Sequence, residues 1–367
     1  MKYLLTCAAG LEALAKNEVT KQWWVITEVK DRLVFFEWDI ELLVKMNLWS
    51  RVWNKVYVVL NEWKARNFDE LYDLVFQTNL KKYIEENHPI LVKATTIKSS
   101  LTSTPAIQKI TKKAIVDKLT NKSWKYLLED TELSEYEILS FLMEDKAYIL
   151  LNSSGETLYK RWYREDSWEA PIKESLAAAL VILSNWKFSE NFYDFTCWSW
   201  TIAIEAVMLA RNIAPWLKRK FAFEKWSFVP SELLHKLKKE AQEKIFHKNY
   251  NVIASDIDLE VLEKAKENAK NAWVLDTIKF ELKDFRDYKK EKLSWTLVSN
   301  PPYGIRLKDD DLKWLYKDIS YILDRNEDLK WWIITAYTEF DRIVNLNKIK
   351  KRKLYNWNEM CYFYTKK

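Results

Sequence analysis

The chain has 367 residues, 48% hydrophobic and 31% charged, with a net charge of +6. That length and apolar content suit two or three domains with real cores, and the modest positive charge permits a polyanionic partner without requiring one. Three widely spaced cysteines, Cys7, Cys197 and Cys361, exclude a secreted disulfide framework, and no CxxC pair or Cys/His cluster points to a zinc site.

In chain order, MKYLLTCAAGLEALAK reads as a strand entering a helix rather than as a signal peptide. RLVFFEW is a strand, and DIELLVKMNL has helical spacing with Asp39 as its N-cap. Residues 1–54 thus form a small α/β unit. KVYVVLNEW (55–63) alternates as a strand, NFDELYDLVFQ opens a helix, and ILVKATTIKS is another strand. STPAIQKITKKAIVDKLTNK is a basic amphipathic helix with Pro105 in its first turn. The strand KAYILLN then runs into a basic linker. LAAALVIL (176–183) is the longest apolar run and is too short to span a bilayer, so a soluble cytoplasmic protein is expected.

From about residue 165 strands and helices alternate, which predicts a parallel doubly wound sheet. NFYDFTC, NVIASDID, TIKFELKDF and WTLVSNPPYG are its strands, and the second and third end in acid. A tight turn after the first strand and an acid at the end of the next make a nucleotide-binding layout. The gap of some 60 residues between them departs from the usual dinucleotide spacing of about 20.

The turn after the first strand is abnormal. DFTCWSWTIAIEA (194–206) places two tryptophans where glycine would let a backbone approach a ligand. Glycine occurs 3 times and tryptophan 20 times. Average usage of about 7% would give roughly 25 glycines in a chain this long. The expectation is that most tryptophans occupy glycine positions, as a gene reading UGA as glycine would yield when translated with UGA as tryptophan. The alternative is a genuinely tryptophan-rich protein.

The sharpest motif is NPPY, Asn300–Tyr303. Two prolines fix the backbone and remove two N–H donors. The Asn300 side-chain oxygen and the Pro301 carbonyl can both accept from one exocyclic amino group, and Tyr303 can stack on a flat base. Such an amine is a poor nucleophile until acceptors localise its lone pair, after which transfer needs positioning and electrostatics rather than a metal. Asn300, Pro301, Pro302 and Tyr303 are therefore the catalytic candidates. The helix over 106–119 carries lysines at i, i+3 and i+4, a one-sided basic stripe. Cys197 has no histidine partner for nucleophilic work, and His88, His235 and His247 read as surface or core residues.

These motifs resemble the THUMP-domain RNA guanine-N2 methyltransferases, particularly the bacterial large-subunit rRNA type. The likeness runs through CAAGLEAL (7–14), NLWSRV (47–52), ARNFDELYDL (65–74), TPAIQKITKKAIVDKL (104–119) and LYKRWYR (158–164). It continues in EAPIKESLAAAL (169–180), DFTCWSWTIAIEA, ARNIAP (210–215), SDID (255–258), NPPYG and RKLYNW (352–357). The family pattern has glycine at Trp162, Trp198, Trp200, Trp216 and Trp357 and tends to have tryptophan at Trp49, Trp186 and Trp226.

The resemblance implies a ferredoxin-like unit (1–54), a THUMP RNA-binding domain (55–160) and a Rossmann-like methyltransferase domain (161–367). It implies S-adenosylmethionine as cofactor, with its methionine part on Asp194 and the turn Thr196, Cys197, Trp198, Ser199, Trp200 and Thr201. Asp256 would accept the ribose hydroxyls, with Ile257 against adenine; Asp284 would accept from the adenine amine beside Phe285. Asn300 also borders this cofactor site. Lys98, Lys109, Lys112, Lys113, Lys160, Arg161 and Arg164 are the RNA-binding candidates. Many relatives carry a second methyltransferase domain beyond the point where this chain stops, so a single activity is expected, with no metal, membrane or obligate protein partner. Alternatives are a tRNA guanine, an adenine N6, or non-catalytic RNA binding if Trp198 and Trp200 are genuine.

Overall fold

The computed structural model describes residues 1–23, 26–85, 87–120, 129–164, 172–196, 200–303, 309–344 and 349–366. Its N-terminal part comprises β1 (Lys2–Cys7), α1 (Glu12–Trp23), β2 (Ile26–Lys30), β3 (Leu33–Glu37), α2 (Ile40–Trp49), β4 (Trp53–Lys64) and α3 (Phe68–Gln77). It continues with β5 (Ile90–Ile97), α4 (Thr104–Leu119), β6 (Tyr136–Met143) and β7 (Lys146–Asn152). Asp39 caps α2 by accepting from the Leu42 amide at 3.0 Å, and Asn67 caps α3 by accepting from the Glu70 amide at 2.8 Å.

These strands make one sheet in the order β2-β3-β1-β4-β7-β6-β5. All neighbours are antiparallel except β5 and β6. β4 pairs with β1 on one side and with β7 on the other. It therefore runs across residue 54, where the expected ferredoxin-like unit ends, and the two N-terminal units share a single sheet. β2 and β6 escape the sequence pattern: β2 alternates only between half-buried and exposed positions, and the buried face of β6 includes Ser140.

The second half comprises α5 (Glu174–Ser184), β8 (Phe192–Asp194), α6 (Thr201–Ala210), α7 (Ser231–Glu243), β9 (Val252–Asp256), α8 (Leu259–Asn271) and β10 (Ile278–Leu282). Then follow β11 (Trp295–Ser299), α9 (Asp309–Arg325), β12 (Leu329–Thr335), α10 (Phe340–Ile343), β13 (Ile349–Asn356) and β14 (Glu359–Lys366). The sheet order is β10-β9-β8-β11-β12-β14-β13. The first five strands in that order are parallel, as the alternating pattern predicts, and β14 and β13 close the sheet as an antiparallel hairpin. Chain order reverses between β8 and β11. In open α/β sheets that switch point opens a crevice at the carboxyl ends of the strands.

The two halves are pinned together by buried polar contacts. Arg51, after α2, donates from Nη2 to the Ile213 carbonyl at 2.8 Å. Arg161 donates from Nε to Glu205 of α6 at 3.0 Å and from Nη2 to the Arg51 carbonyl at 2.6 Å. No helix among the described residues is long and apolar enough to cross a membrane.

Candidate active site

The carboxyl ends of β8, β9, β10 and β11 converge on one cavity of about 440 Å³. That size falls in the range of small-molecule pockets, about 300–1,000 Å³. Thr196, Asp256, Ile257, Asp284, Phe285 and Pro302 all line it. Residues some 100 apart in sequence meet there because parallel strands deliver their ends to the same edge.

Asp194 ends β8 fully buried. Its carboxylate accepts from the Ser299 hydroxyl at 3.2 Å, and Ser299 in turn shares a hydrogen bond of 2.7 Å with Thr196. Burial pushes Asp194 up to about 7; the Ser299 bond opposes this, and the nearby Asp256 adds to it. Asp256, at the end of β9, is also raised, chiefly by burial, while accepting from the Asp258 amide at 3.1 Å. Ile257 is 66% exposed over the cavity, an apolar surface suited to a flat ring. Phe195 stacks on Tyr288 with centroids 3.9 Å apart and forms part of the cavity wall.

Asp284 differs from expectation. Its carboxylate is bound by the guanidinium of Arg286, with Nε at 2.8 Å and 3.0 Å from its two oxygens, and that pairing holds it below the usual carboxylate range. Asp284 borders the cavity but already has a cationic partner, so an adenine amine would have to share it. Phe285 lies beside it, half-buried.

In the NPPY motif, Asn300 is 7% exposed and its buried Oδ1 has no hydrogen-bond partner among the described residues. A buried, unpaired amide oxygen costs about 1–3 kcal/mol, so it marks a place where a donor belongs. Pro301 is buried, and Pro302 accepts through its carbonyl from the Tyr316 hydroxyl of α9 at 3.1 Å. Tyr316 also shares a bond of 2.6 Å with Thr335 at the end of β12. Tyr303 is half-buried, and its hydroxyl lies 3.8 Å from the Cys361 sulfur on β14. Tyr316, Thr335 and Ser299 have no sequence signature except their places at strand ends and on a helix facing the motif.

Cys197, Trp198 and Ser199 lie outside the described residues. Trp200 precedes α6 at φ 40, a left-handed conformation rare for a bulky side chain. Its indole is buried and its Nε1 has no partner among the described residues. Thr201 is buried in the first turn of α6. The residues present thus fit the adenosine part of S-adenosylmethionine: two strand-end carboxylates, an exposed isoleucine and an apolar wall around a cavity of suitable size.

The RNA-binding candidates divide. Arg161 is corrected: its side chain is 0% exposed and spent on Glu205 and two backbone carbonyls, so it is a junction residue and presents nothing to RNA. Arg164 is corrected likewise, since it pairs with buried Glu174 at 3.3 Å. Lys112 is half-buried and tied to Glu129 and the Ile90 carbonyl. Lys98, Lys109, Lys113 and Lys160 are exposed. Lys113 lies 5.9 Å from the Tyr72 ring centroid.

Comparison with known proteins agrees with this architecture. Family models match an RlmL ferredoxin-like domain at residues 2–57, a THUMP domain at 65–152 and an RMKL-like methyltransferase domain at 161–364. The chain is 37% identical to the candidate RNA methyltransferase YpsC of Bacillus subtilis (strain 168), covering 97% of this chain and 93% of that protein. It is 30% identical to a tRNA (guanine(6)-N2)-methyltransferase of Methanocaldococcus jannaschii, covering 84% of this chain and 82% of that protein. It is 31% identical to the ribosomal RNA large subunit methyltransferase K/L of Buchnera aphidicola, covering 88% of this chain; it spans about half of that enzyme, 47%. Among solved structures, the candidate methyltransferase SMU.472, complexed with SAH, superposes with a TM-score of 0.91 at 34% identity, covering 100% of this chain and 97% of that one. Three successive domain matches, a pocket at the switch point and an NPPY motif at its edge place the chain in the THUMP-containing, RMKL-like family of S-adenosylmethionine-dependent RNA methyltransferases.

Proposed function

We propose that this chain methylates the exocyclic N2 of a guanine in large-subunit ribosomal RNA. The observation that carries the reading is the buried Oδ1 of Asn300, without a partner among the described residues, in the motif whose Pro302 lines the cavity. It is an acceptor held ready for an amine hydrogen. When bound, S-adenosylmethionine supplies an electrophilic methyl group. Asn300 and the Pro301 carbonyl accept from the target amine and localise its lone pair; Pro301 and Pro302 keep the acceptors rigid. Tyr303 offers a face to the base. Asp256 and Ile257 hold the adenosine part, and Asp194 braces the turn through Ser299. The cofactor's methionine part requires a small residue at 200, since a buried indole there occupies roughly 150–250 Å² of contact surface. Glycine at 198 and 200 belongs to this proposal.

An NPPY motif serves any exocyclic amine. Guanine N2 is favoured over adenine N6 by the M. jannaschii relative, whose name specifies that atom, and the K/L relative's name specifies large-subunit rRNA. The same M. jannaschii relative supports tRNA as the second reading.

The test uses two forms of the protein, with tryptophan or with glycine at 198 and 200. Each is incubated with labelled S-adenosylmethionine and undermethylated rRNA or tRNA, and the RNA is digested to nucleosides. N2-methylguanosine from rRNA in the glycine form is the expected result. The same product from tRNA alone would move the substrate to tRNA. N6-methyladenosine, or no transfer by either form, would overturn the proposal.

A further inference from the structure

At the junction of the two sheets lies a second cavity, about 610 Å³, away from the cofactor site. Its floor is the end of the N-terminal sheet, where β1, β5 and β6 finish and β3 begins. Its roof is the β13–β14 turn. Arg32, Lys98 and Lys173 line it together with Tyr355. Arg32 and Lys98 are exposed, and Lys173 sits 4.9 Å from the Tyr159 ring centroid. Two carboxylates, Asp31 and Glu144, share the lining, so the cations there are only partly offset.

The adjoining strand adds to the charge. β13 begins Ile-Lys-Lys-Arg-Lys and is the edge strand of its sheet. Lys351 pairs with Asp341 at 2.9 Å and Arg352 donates to the Gly10 carbonyl at 2.7 Å. Lys350 and Lys353 are exposed, and among the described residues neither they nor Lys98 makes an ion pair. The hairpin that roofs the cavity also reaches the NPPY motif. Cys361 of β14 touches the Tyr303 hydroxyl, and Asn356 of the same hairpin accepts from the Lys173 amide at 3.2 Å.

We propose that this groove, with the basic edge strand β13, holds a single-stranded segment of the substrate RNA and leads it to Tyr303. The proposal rests on the RNA-methylation reading above and adds the path the strand takes. Exposed lysines without ion pairs suit phosphates, and the half-buried Tyr355, with Lys353 5.4 Å from its ring centroid, suits an unstacked base. The volume takes a nucleotide or two and cannot admit a double helix. A target guanine must leave its stack to be methylated, so the chain leading to it is single-stranded at that point. The α4 stripe lies elsewhere: Lys112 contacts the first residue of β5 and Lys98 follows the last, ends roughly 23 Å apart at about 3.3 Å per residue.

The test compares the full chain, carrying glycine at 198 and 200, with its Lys98→Glu/Lys350→Glu/Lys353→Glu variant, using fluorescence anisotropy on a labelled single-stranded 12-mer RNA and a labelled RNA duplex over a range of salt. A Lys350→Ala/Lys353→Ala variant guards against misfolding, and unchanged S-adenosylmethionine affinity checks the catalytic half. The expected result is single-strand binding about tenfold weaker, with a salt slope shallower by about 2, at ≈0.7 per phosphate contact, and duplex binding unchanged. Unchanged single-strand affinity would overturn the groove, and an equal loss on duplex would overturn its single-strand character. If the parent protein methylates rRNA while the variants bind as it does, the groove alone fails. If the parent transfers no methyl to RNA, it is the function that fails.

Discussion

Asn300 is the residue on which the proposed chemistry turns. Its oxygen is kept dry and unpaired, which stabilises nothing in the free protein and is useful only to an incoming donor. Asn300→Ala is expected to lower single-turnover methyl transfer by about 10²–10³, the usual effect of removing one preorganised group, with cofactor affinity and melting temperature nearly unchanged. A parallel loss of folding would make Asn300 structural instead. Asp194 gives a pH signature. Burial raises it to about 7, against about 3.9 unfolded. Between those values the folded protein holds a proton that the unfolded chain has released. The Asp194 contribution to stability is therefore full below pH 4 and is lost as pH rises through 7. Glu18, also raised to about 7 by burial, acts in the same sense. Asp194→Asn should flatten part of the decline in melting temperature between pH 4 and 7; an unchanged profile would show that Asp194 is not the titrating group. At Trp200, Trp273, Trp295 and Trp357 the backbone has φ of 40, 62, 85 and 57. L-residues pay roughly 1–2 kcal/mol for the left-handed region and glycine does not. Trp49, Trp186 and Trp226, where the family tends to have tryptophan, are absent from the positive-φ set, and Trp186 uses its Nε1 on the Glu190 carbonyl at 3.0 Å. Trp216 follows a different pattern: it is buried, with Nε1 bonded to the Ser50 carbonyl at 2.8 Å. Trp295 is exposed, so little packing is lost on removing it. Trp295→Gly should raise the urea midpoint by the equivalent of about 1 kcal/mol, and a lowered midpoint would argue for a genuine tryptophan.

Between elements, the tightest constraint is where the loop after β1 meets β13. Gly10 has φ +86, and a Cβ there would lie 2.8 Å from the Lys353 carbonyl oxygen. Arg352 donates to the Gly10 carbonyl at the same contact. The N-terminal unit and the C-terminal hairpin therefore approach backbone to backbone. Gly10→Ala should cost about 1–3 kcal/mol through strain and the clash, read as a lower melting temperature. Wild-type stability would mean that the loop can step away from β13. The hairpin turn itself, Trp357 and Asn358, has positive φ at its first position, where two-residue turns of type II′ place glycine.

Across the whole molecule, the halves act as one body because charged groups are buried between them. Arg161, Arg51 and Glu205 meet at the interface with Glu18 close by, and burial lowers Arg51 to about 10. Removing one partner leaves the other as an uncompensated buried charge. Arg161→Ala is expected to destabilise the protein by about 3–5 kcal/mol and to split denaturant unfolding into two transitions as the halves separate. It should leave the salt dependence of RNA binding unchanged, whereas a residue in contact with phosphate would lower that slope by about 1. A shallower slope would return Arg161 to the RNA surface.

Local chemistry was legible in the sequence. Asp39 and Asn67 announce their helices because a cap needs only its own next turn. The parallel strands declare themselves because strands covered on both faces must be apolar throughout. NPPY and the strand-end acids Asp194 and Asp256 could be found because strand ends at a switch point meet whatever lies between them. What the sequence could not decide was which cations face water. Lys109, Arg161 and Arg164 look alike in a basic run, yet only tertiary packing sets Arg161 against Glu205 and Arg164 against Glu174 while leaving Lys109 free to solvent. Nor could it foresee that Asp284 would pair with Arg286, that β4 would join two units into one sheet, or that the β13–β14 turn would line one cavity with the end of β5. Those outcomes depend on contacts between residues far apart in the chain, and burial, which decides whether a charge is a brace or a binding group, is a property of the folded whole.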